Sequence, residues 1–107
     1  MQGFQVTFFT EEGRRHAGQP MSQWLMGTLN SLGIRGATLS TGIEGIGRDG
    51  RMHSAHFFEL ADQPVAVTVA LTEAQLEQLF PVLEREHANL FYIKTPVEFG
   101  VIGPPRA

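Results

Sequence analysis

The sequence predicts an α+β fold in which two amphipathic helices cover one face of a mostly antiparallel sheet. Apolar residues recur at steps of three and four over two segments, which begin near Pro20 and Thr72 and indicate helices. The segments around them are rich in β-branched and aromatic residues, which is typical of strands. The resulting order, strand–helix–strand–strand–helix–strand, is that of a ferredoxin-like βαββαβ sandwich.

The first helix and its flanking strands are the clearest elements of the N-terminal half. Strands are predicted over residues 4–10 and 37–41. Pro20 suits the first helical position, because its missing N–H has no partner there. Gly33 supplies the left-handed residue that commonly ends a helix. The apolar stripe between them comprises Met21, Trp24, Leu25, Thr28, Leu29 and Leu32.

The C-terminal half repeats this arrangement with a better-defined helix start. Thr72 and Gln75 have the spacing of a capping box, in which each side chain binds the other residue's backbone N–H. Pro81 lies away from the apolar stripe of this helix, so we expect a kink with the proline on the solvent side. That stripe comprises Leu76, Leu79, Phe80 and Leu83. Strands are predicted over residues 53–60, 65–71, 90–95 and 97–102, the last being a short C-terminal strand.

Length and composition narrow the possible functions. A chain of 107 residues predicts a single domain over residues 1–107. The formal net charge is −3 and the basic residues are scattered, which argues against binding to nucleic acid. The absence of cysteine excludes disulfides and thiolate chemistry. The N-terminal residues do not resemble a secretion signal and no segment is apolar enough to span a membrane, so we expect a cytoplasmic location.

Adjacent phenylalanines suggest that both faces of the sheet carry apolar groups. Phe8 and Phe9 are neighbours, as are Phe57 and Phe58. Neighbouring strand residues point to opposite faces, and large exposed apolar patches are uncommon on monomers. The sequence therefore predicts an obligate oligomer that covers its open face with other subunits.

The glycine-rich segment 42–51 is the first candidate for a binding site. It predicts a long mobile loop, and such loops in compact domains are usually functional or disordered. Its backbone N–H groups could form an anion nest, and its two arginines could make bidentate contacts to phosphate. Glu44 in this segment either accepts a hydrogen bond from a ribose or adenine group or caps a turn. The candidate ligand-binding residues here are Gly42, Glu44, Gly45, Gly47, Arg48 and Arg51.

Lys94 and the histidines form a second group of candidates. Lys94 shares a strand face with Tyr92 and could add a positive charge near a phosphate, or protect a sheet edge. His53 and His56 are three apart on a predicted strand and so point to opposite faces, which argues against a shared metal ion. His16 lies in a polar loop and is expected to face a ligand, a partner or solvent. No pattern of nucleophile and base indicates a catalytic site, so we expect no enzyme.

Two glycine-containing segments resemble the nitrogen-regulatory PII signal proteins. They are residues 33–39, Gly-Ile-Arg-Gly-Ala-Thr-Leu, and residues 45–50, Gly-Ile-Gly-Arg-Asp-Gly. A closer resemblance is to the PII-like family known as domain of unknown function one-ninety, and it covers nearly the whole chain in order. It rests on Gly18-x-Pro20, on residues 36–38, 42–45 and 79–83, and on the histidines that begin the third strand.

The resemblance implies a trimer with ligand clefts between subunits. In PII proteins these clefts hold ATP or ADP, and the long loop docks on a transporter or enzyme. By position it assigns phosphate contacts to Gly45, Gly47 and Arg48. The PII phosphate loop after the second helix is replaced here by residues 86–90, which contain neither glycine nor lysine.

The sequence thus predicts a PII-like regulatory protein without a bound cofactor. It is expected to bind a small anionic effector, adenine nucleotide first, and to signal through the 42–52 loop to a protein partner. The alternatives are a non-nucleotide oligomeric scaffold, a trimer that responds to a metal or anion, and a small ferredoxin-like enzyme.

Overall fold

The computed structural model describes residues 1–42, 44–46, 52–54 and 63–104; for 44–46 and 52–54 it describes the backbone only. In this part of the chain four strands form the main sheet in the order β4–β7–β1–β8, and every neighbouring pair is antiparallel. The elements are β1 (Gln2–Glu11), β2 (Arg15–His16), β3 (Gln19–Pro20), α1 (Met21–Ser31), β4 (Thr38–Thr41), β5 (Glu44–Ile46), β6 (Met52–Ser54), β7 (Pro64–Leu71), α2 (Glu73–Arg85) and β8 (Phe91–Glu98).

Both helices pack on the same face of this sheet, as the sequence predicts. The register pairs Val6 with Val69 and Phe8 with Val67, so these four side chains share one face, and all are buried. Leucines of both helices join the same core, which confirms the α+β ferredoxin-like prediction. These leucines are Leu25, Leu29, Leu79 and Leu83. No helix in the described residues is both long and apolar enough to cross a membrane.

Several element boundaries differ from the prediction. The helix α1 begins at Met21, with Pro20 one position earlier at the N-cap, where its backbone is extended. The separate C-terminal strand over 97–102 is wrong: Val97 and Glu98 continue β8, and residues 99–104 form no strand. Of the strand predicted over 53–60, only the first two residues are described, and they belong to β6.

The start of α2 confirms the capping box. The Gln75 N–H donates to Thr72 Oγ1 at 3.2 Å, and the Thr72 N–H donates to Gln75 Oε1 at 2.9 Å. Two N–H groups that the helix itself leaves without partners are therefore satisfied. Pro81 is exposed, which confirms its predicted place on the solvent side.

Removing this cap gives a first testable prediction. Thr72→Ala should lower the free energy of unfolding by about 1 kcal/mol, because it deletes the acceptor for the Gln75 N–H. Thr72→Ser keeps the hydroxyl and is the matched control. Urea unfolding followed by circular dichroism measures both, and equal midpoints for wild type and Thr72→Ala would show that the cap contributes nothing.

The second face of the sheet has no helix on it among the described residues. Phe9, Phe91 and Ile93 lie there, exposed by 38%, 48% and 52%, and the two phenylalanine rings are 5.7 Å apart. Threonines share this face, and the Thr7 and Thr68 hydroxyls are 3.0 Å apart. The open face is thus an aromatic and aliphatic patch beside small polar groups, whereas Phe57 and Phe58 lie outside the described residues.

Candidate functional site

Several chain connections meet at one end of the main sheet. The connection from β4 to β7 leaves this end after Thr41 and returns at Pro64, which pairs with Glu11 at the end of β1. The turn between α2 and β8, residues 86–90, lies at the same end, because β8 begins beside the last residues of β1. The β2–β3 hairpin also starts there, directly after β1. This end of the sheet is the candidate functional site.

The glycine-rich segment begins as an ordered ribbon. Gly42 donates its N–H to the Pro64 carbonyl oxygen at 2.8 Å, so in this structure that amide binds the sheet and does not face outward. β5 then pairs with β6, and Gly45 lies opposite His53 in the antiparallel register. The prediction of a long loop over 42–51 is therefore wrong for Glu44–Ile46, which form a strand.

The remaining candidates of this segment cannot be compared with the structure. Gly47, Arg48, Arg51 and His56 lie outside the described residues, and for Glu44, Gly45 and His53 only the backbone is described. Their predicted ligand contacts stay predictions.

Lys94 lies at the opposite edge of the sheet from the glycine-rich segment. Its Nζ is 4.7 Å from the centre of the Phe4 ring, which is a favourable cation–π distance. The register places it opposite Val6, on the same face as Tyr92, which confirms their predicted shared face. Three strand spacings, roughly 14 Å in total, separate β8 from β4. One subunit therefore does not bring Lys94 and Gly42 onto the same small ligand.

A groove beside the α2–β8 turn was not predicted from the sequence. It holds about 390 Å³ and lies between the last turns of α2 and the exposed edge strand β8. The Tyr92 and Phe80 rings meet edge to face, 4.9 Å between centres, and Phe8 lies 6.4 Å from Tyr92. Polar groups of the helix end and the turn complete the lining. The lining residues are Phe8, Phe80, Leu83, Glu84, His87, Asn89, Leu90 and Tyr92.

His16 is turned toward its own chain rather than toward an open cleft. Its ring lies 4.2 Å from the Trp24 ring, and its Nε2 is 3.4 Å from Glu86 Oε1. The histidine side chain keeps 17% of its surface exposed, so it joins the β2–β3 hairpin to the end of α2. The expectation that His16 faces a ligand or partner stays a prediction. Trp24, which belongs to the apolar stripe predicted for the first helix, packs against the core.

Among the described residues, no cluster of side chains is suited to bind a metal ion. There, no three histidine, aspartate or glutamate side chains are placed to hold an ion together. The side chains of His53 and His56 are not described, so the prediction that they share no metal remains open to test.

Solved structures with the same fold include two PII-like proteins. CPII from Thiomonas intermedia K12, a nitrogen regulatory PII-like protein, was solved with ADP, AMP and bicarbonate; it is 20% identical, with a TM-score of 0.57, and the match covers 91% of this chain and 89% of that one. Its form with ADP and bicarbonate gives a TM-score of 0.63 at 16% identity, with the same coverage. A protein from Thermus thermophilus described as PII-like gives 0.61 at 15% identity, covering 91% of this chain and 86% of that one.

At these identities the likeness shows the fold: a PII-like ferredoxin-like arrangement. The family is shown by the sequence itself, because residues 3–99 match the family DUF190, described as Uncharacterized ACR. The resemblance to this family stated from residues 36–38, 42–45 and 79–83 is thereby confirmed. This chain belongs to the DUF190 family and has the fold of PII-like regulatory proteins.

Proposed function

We propose that this protein is a non-catalytic, PII-like regulator that binds an adenine nucleotide between subunits of a homotrimer. The observation that carries the proposal is the meeting, at one end of the sheet, of the glycine-rich β4–β7 connection and the α2–β8 turn. A CPII structure of the same fold was solved with ADP and AMP, which supports the nucleotide as effector.

The distribution of the candidate residues supports a site that needs two subunits. Gly42 and Lys94 lie near opposite edges of the sheet, so a second copy must supply one of them if both contact one ligand. The open face with Phe9, Phe91 and Ile93 offers the surface on which copies can pack. We infer that the ligand cleft forms only in the oligomer.

The segment 42–52 is proposed as the signalling element toward a protein partner such as a transporter or enzyme. Arg48 and Arg51 would bind the phosphates with their guanidinium groups, and the N–H groups of Gly45 and Gly47 would add backbone donors. Glu44 would accept from the ribose or base, and Lys94 would add charge from the other edge. Ligand binding to this segment would then change its conformation, and with it the surface that the segment offers to the partner.

A titration of the purified oligomer by calorimetry tests the proposal, with ATP, ADP, AMP and bicarbonate added separately and in pairs. We expect saturable binding of an adenine nucleotide near one per subunit. Arg48→Ala should weaken that affinity at least about tenfold, because it removes a charge-assisted pair of hydrogen bonds. Arg15→Ala is the control, since Arg15 binds the Gly18 carbonyl oxygen within its own hairpin.

A titration without heat for any nucleotide would contradict the nucleotide proposal. It would favour the second candidate, a non-nucleotide oligomeric scaffold, which the pairing of β5 with β6 supports because it gives the segment an ordered surface. If Arg48→Ala instead dissociated the oligomer, Arg48 would be an interface residue.

A further inference from the structure

The β2–β3 hairpin is anchored at its base by the backbone of Arg14. The Arg14 N–H donates to the Glu11 carbonyl oxygen at 3.1 Å, and the Arg14 carbonyl oxygen accepts from the Met21 N–H at 2.8 Å. Residue 14 is thus fixed both to the end of β1 and to the start of α1. Its side chain therefore leaves from a defined position at the candidate functional site.

The α2–β8 turn has an unusual backbone. His87 has φ 54° and Asn89 has φ 49°, and neither residue is glycine. A residue with a side chain pays a conformational cost in this left-handed region, so such a turn persists where its surroundings hold it. Ala88 between them is fully buried, and its N–H donates to the Leu83 carbonyl oxygen at 3.0 Å.

The Arg14 guanidinium holds this turn from outside. Its Nη1 donates to the Asn89 carbonyl oxygen at 2.9 Å, and its Nη2 donates to the carbonyl oxygen of Ala88. The planar fork of arginine suits two neighbouring acceptors, whereas a lysine offers one ammonium group on a flexible stem. One side chain thus fixes two successive peptide groups.

Fixing these two carbonyls also fixes two amides. In a trans peptide group the C=O and the following N–H point in opposite directions. The Asn89 and Leu90 N–H groups therefore point away from Arg14, and no described residue accepts a hydrogen bond from either. His87, Asn89 and Leu90 all line the groove beside Tyr92, so the orientation of the turn sets one wall of that groove.

We propose that Arg14 is a positioning residue for the effector site: through the Ala88 and Asn89 carbonyl oxygens it sets the α2–β8 turn and the groove wall that meet the ligand. This inference rests on the proposed function for its ligand, an adenine nucleotide, and adds the residue that shapes the site. His16 and Glu86 join the same hairpin to the same turn, which makes the hairpin and the turn one mechanical unit.

Three variants of the full-length protein test the inference: Arg14→Ala, Arg14→Lys and Arg35→Ala. Hydrogen exchange of the Glu86, His87 and Ala88 amides, which donate to carbonyl oxygens in the last turn of α2, reports on the turn, and calorimetric titration with ADP reports on the site. Arg14→Ala should speed exchange of the turn and weaken ADP binding, each about tenfold or more, while the oligomer stays intact. Arg14→Lys should restore part of both, because one carbonyl contact remains possible. Arg35→Ala removes the same charge from an exposed residue just before β4, at the other end of the sheet, and should change neither.

The outcomes separate the inference from the proposed function. Unchanged exchange in Arg14→Ala would overturn the inference, and so would a loosened turn with unchanged ADP affinity. Weaker ADP binding with an unchanged turn would mean that Arg14 touches the ligand directly, which also overturns a positioning role. If wild type does not bind ADP, the proposed function fails, and the exchange comparison alone decides whether Arg14 holds the turn.

Discussion

Replacing Ile93 with aspartate is expected to dissociate the oligomer. Ile93 lies on the open face and is 52% exposed in the single subunit, next to the Phe9 and Phe91 rings. If other copies cover this face, the substitution leaves an unpaired carboxylate buried at the interface, at a cost of about 3–5 kcal/mol. The association constant should then fall more than about a hundredfold. Sedimentation velocity at micromolar concentration measures the change.

The matched control for this variant adds the same charge on the other layer of the fold. Gln78 lies exposed on α2, so Gln78→Asp should leave the sedimentation coefficient unchanged. Circular dichroism shows whether the Ile93→Asp subunit remains folded. A folded Ile93→Asp variant with the oligomeric mass of wild type would mean that the open face is not the interface.

Replacing Gly3 with alanine is expected to destabilise the fold strongly. A Cβ on Gly3 would overlap the backbone carbonyl oxygen of Leu71 and would lie 2.7 Å from a Phe99 ring carbon. The obstacle is backbone of the neighbouring strand, which a side-chain rotation cannot remove. Overpacking of this kind costs about 3 kcal/mol, and so the melting temperature should fall by on the order of 10 °C.

Gly27→Ala is the control for this substitution. Gly27 lies in α1, and a Cβ there meets no atom within 4 Å. Alanine favours the helix over glycine by about 0.5–1 kcal/mol, so Gly27→Ala should raise the melting temperature slightly. Thermal unfolding by calorimetry compares the two. A Gly3→Ala protein as stable as wild type would show that β1 and β7 can separate locally at little cost.

Local patterns were sufficient to predict both helices and the fold class. The stripe of α1, the Thr72–Gln75 capping box and the exposed Pro81 depend only on residues a few positions apart. The predicted division of β8 at Pro96 was wrong for a reason that local sequence cannot show. β8 is an edge strand, and the missing N–H of a proline is tolerated at an edge, so the strand continues through it.

The candidate site was less predictable because its contacts are long-range. Arg14 and Asn89 are 75 positions apart. The left-handed backbone of His87 and Asn89 could not be predicted from a glycine, because neither residue is one. The β5–β6 ribbon was missed for a related reason, since glycines favour irregular backbone locally while cross-strand pairing decides the outcome. Tyr92 and Lys94 were placed on one face correctly, because strand alternation alone determines this.

Native mass spectrometry of the protein with and without excess ADP tests the central claim most directly, because it reads subunit number and bound ligand in one spectrum. Our account predicts a trimer that gains the mass of three ADP molecules, and no ADP on any monomer released from it. A monomer, or an oligomer whose mass ADP does not change, would contradict a nucleotide site formed between subunits.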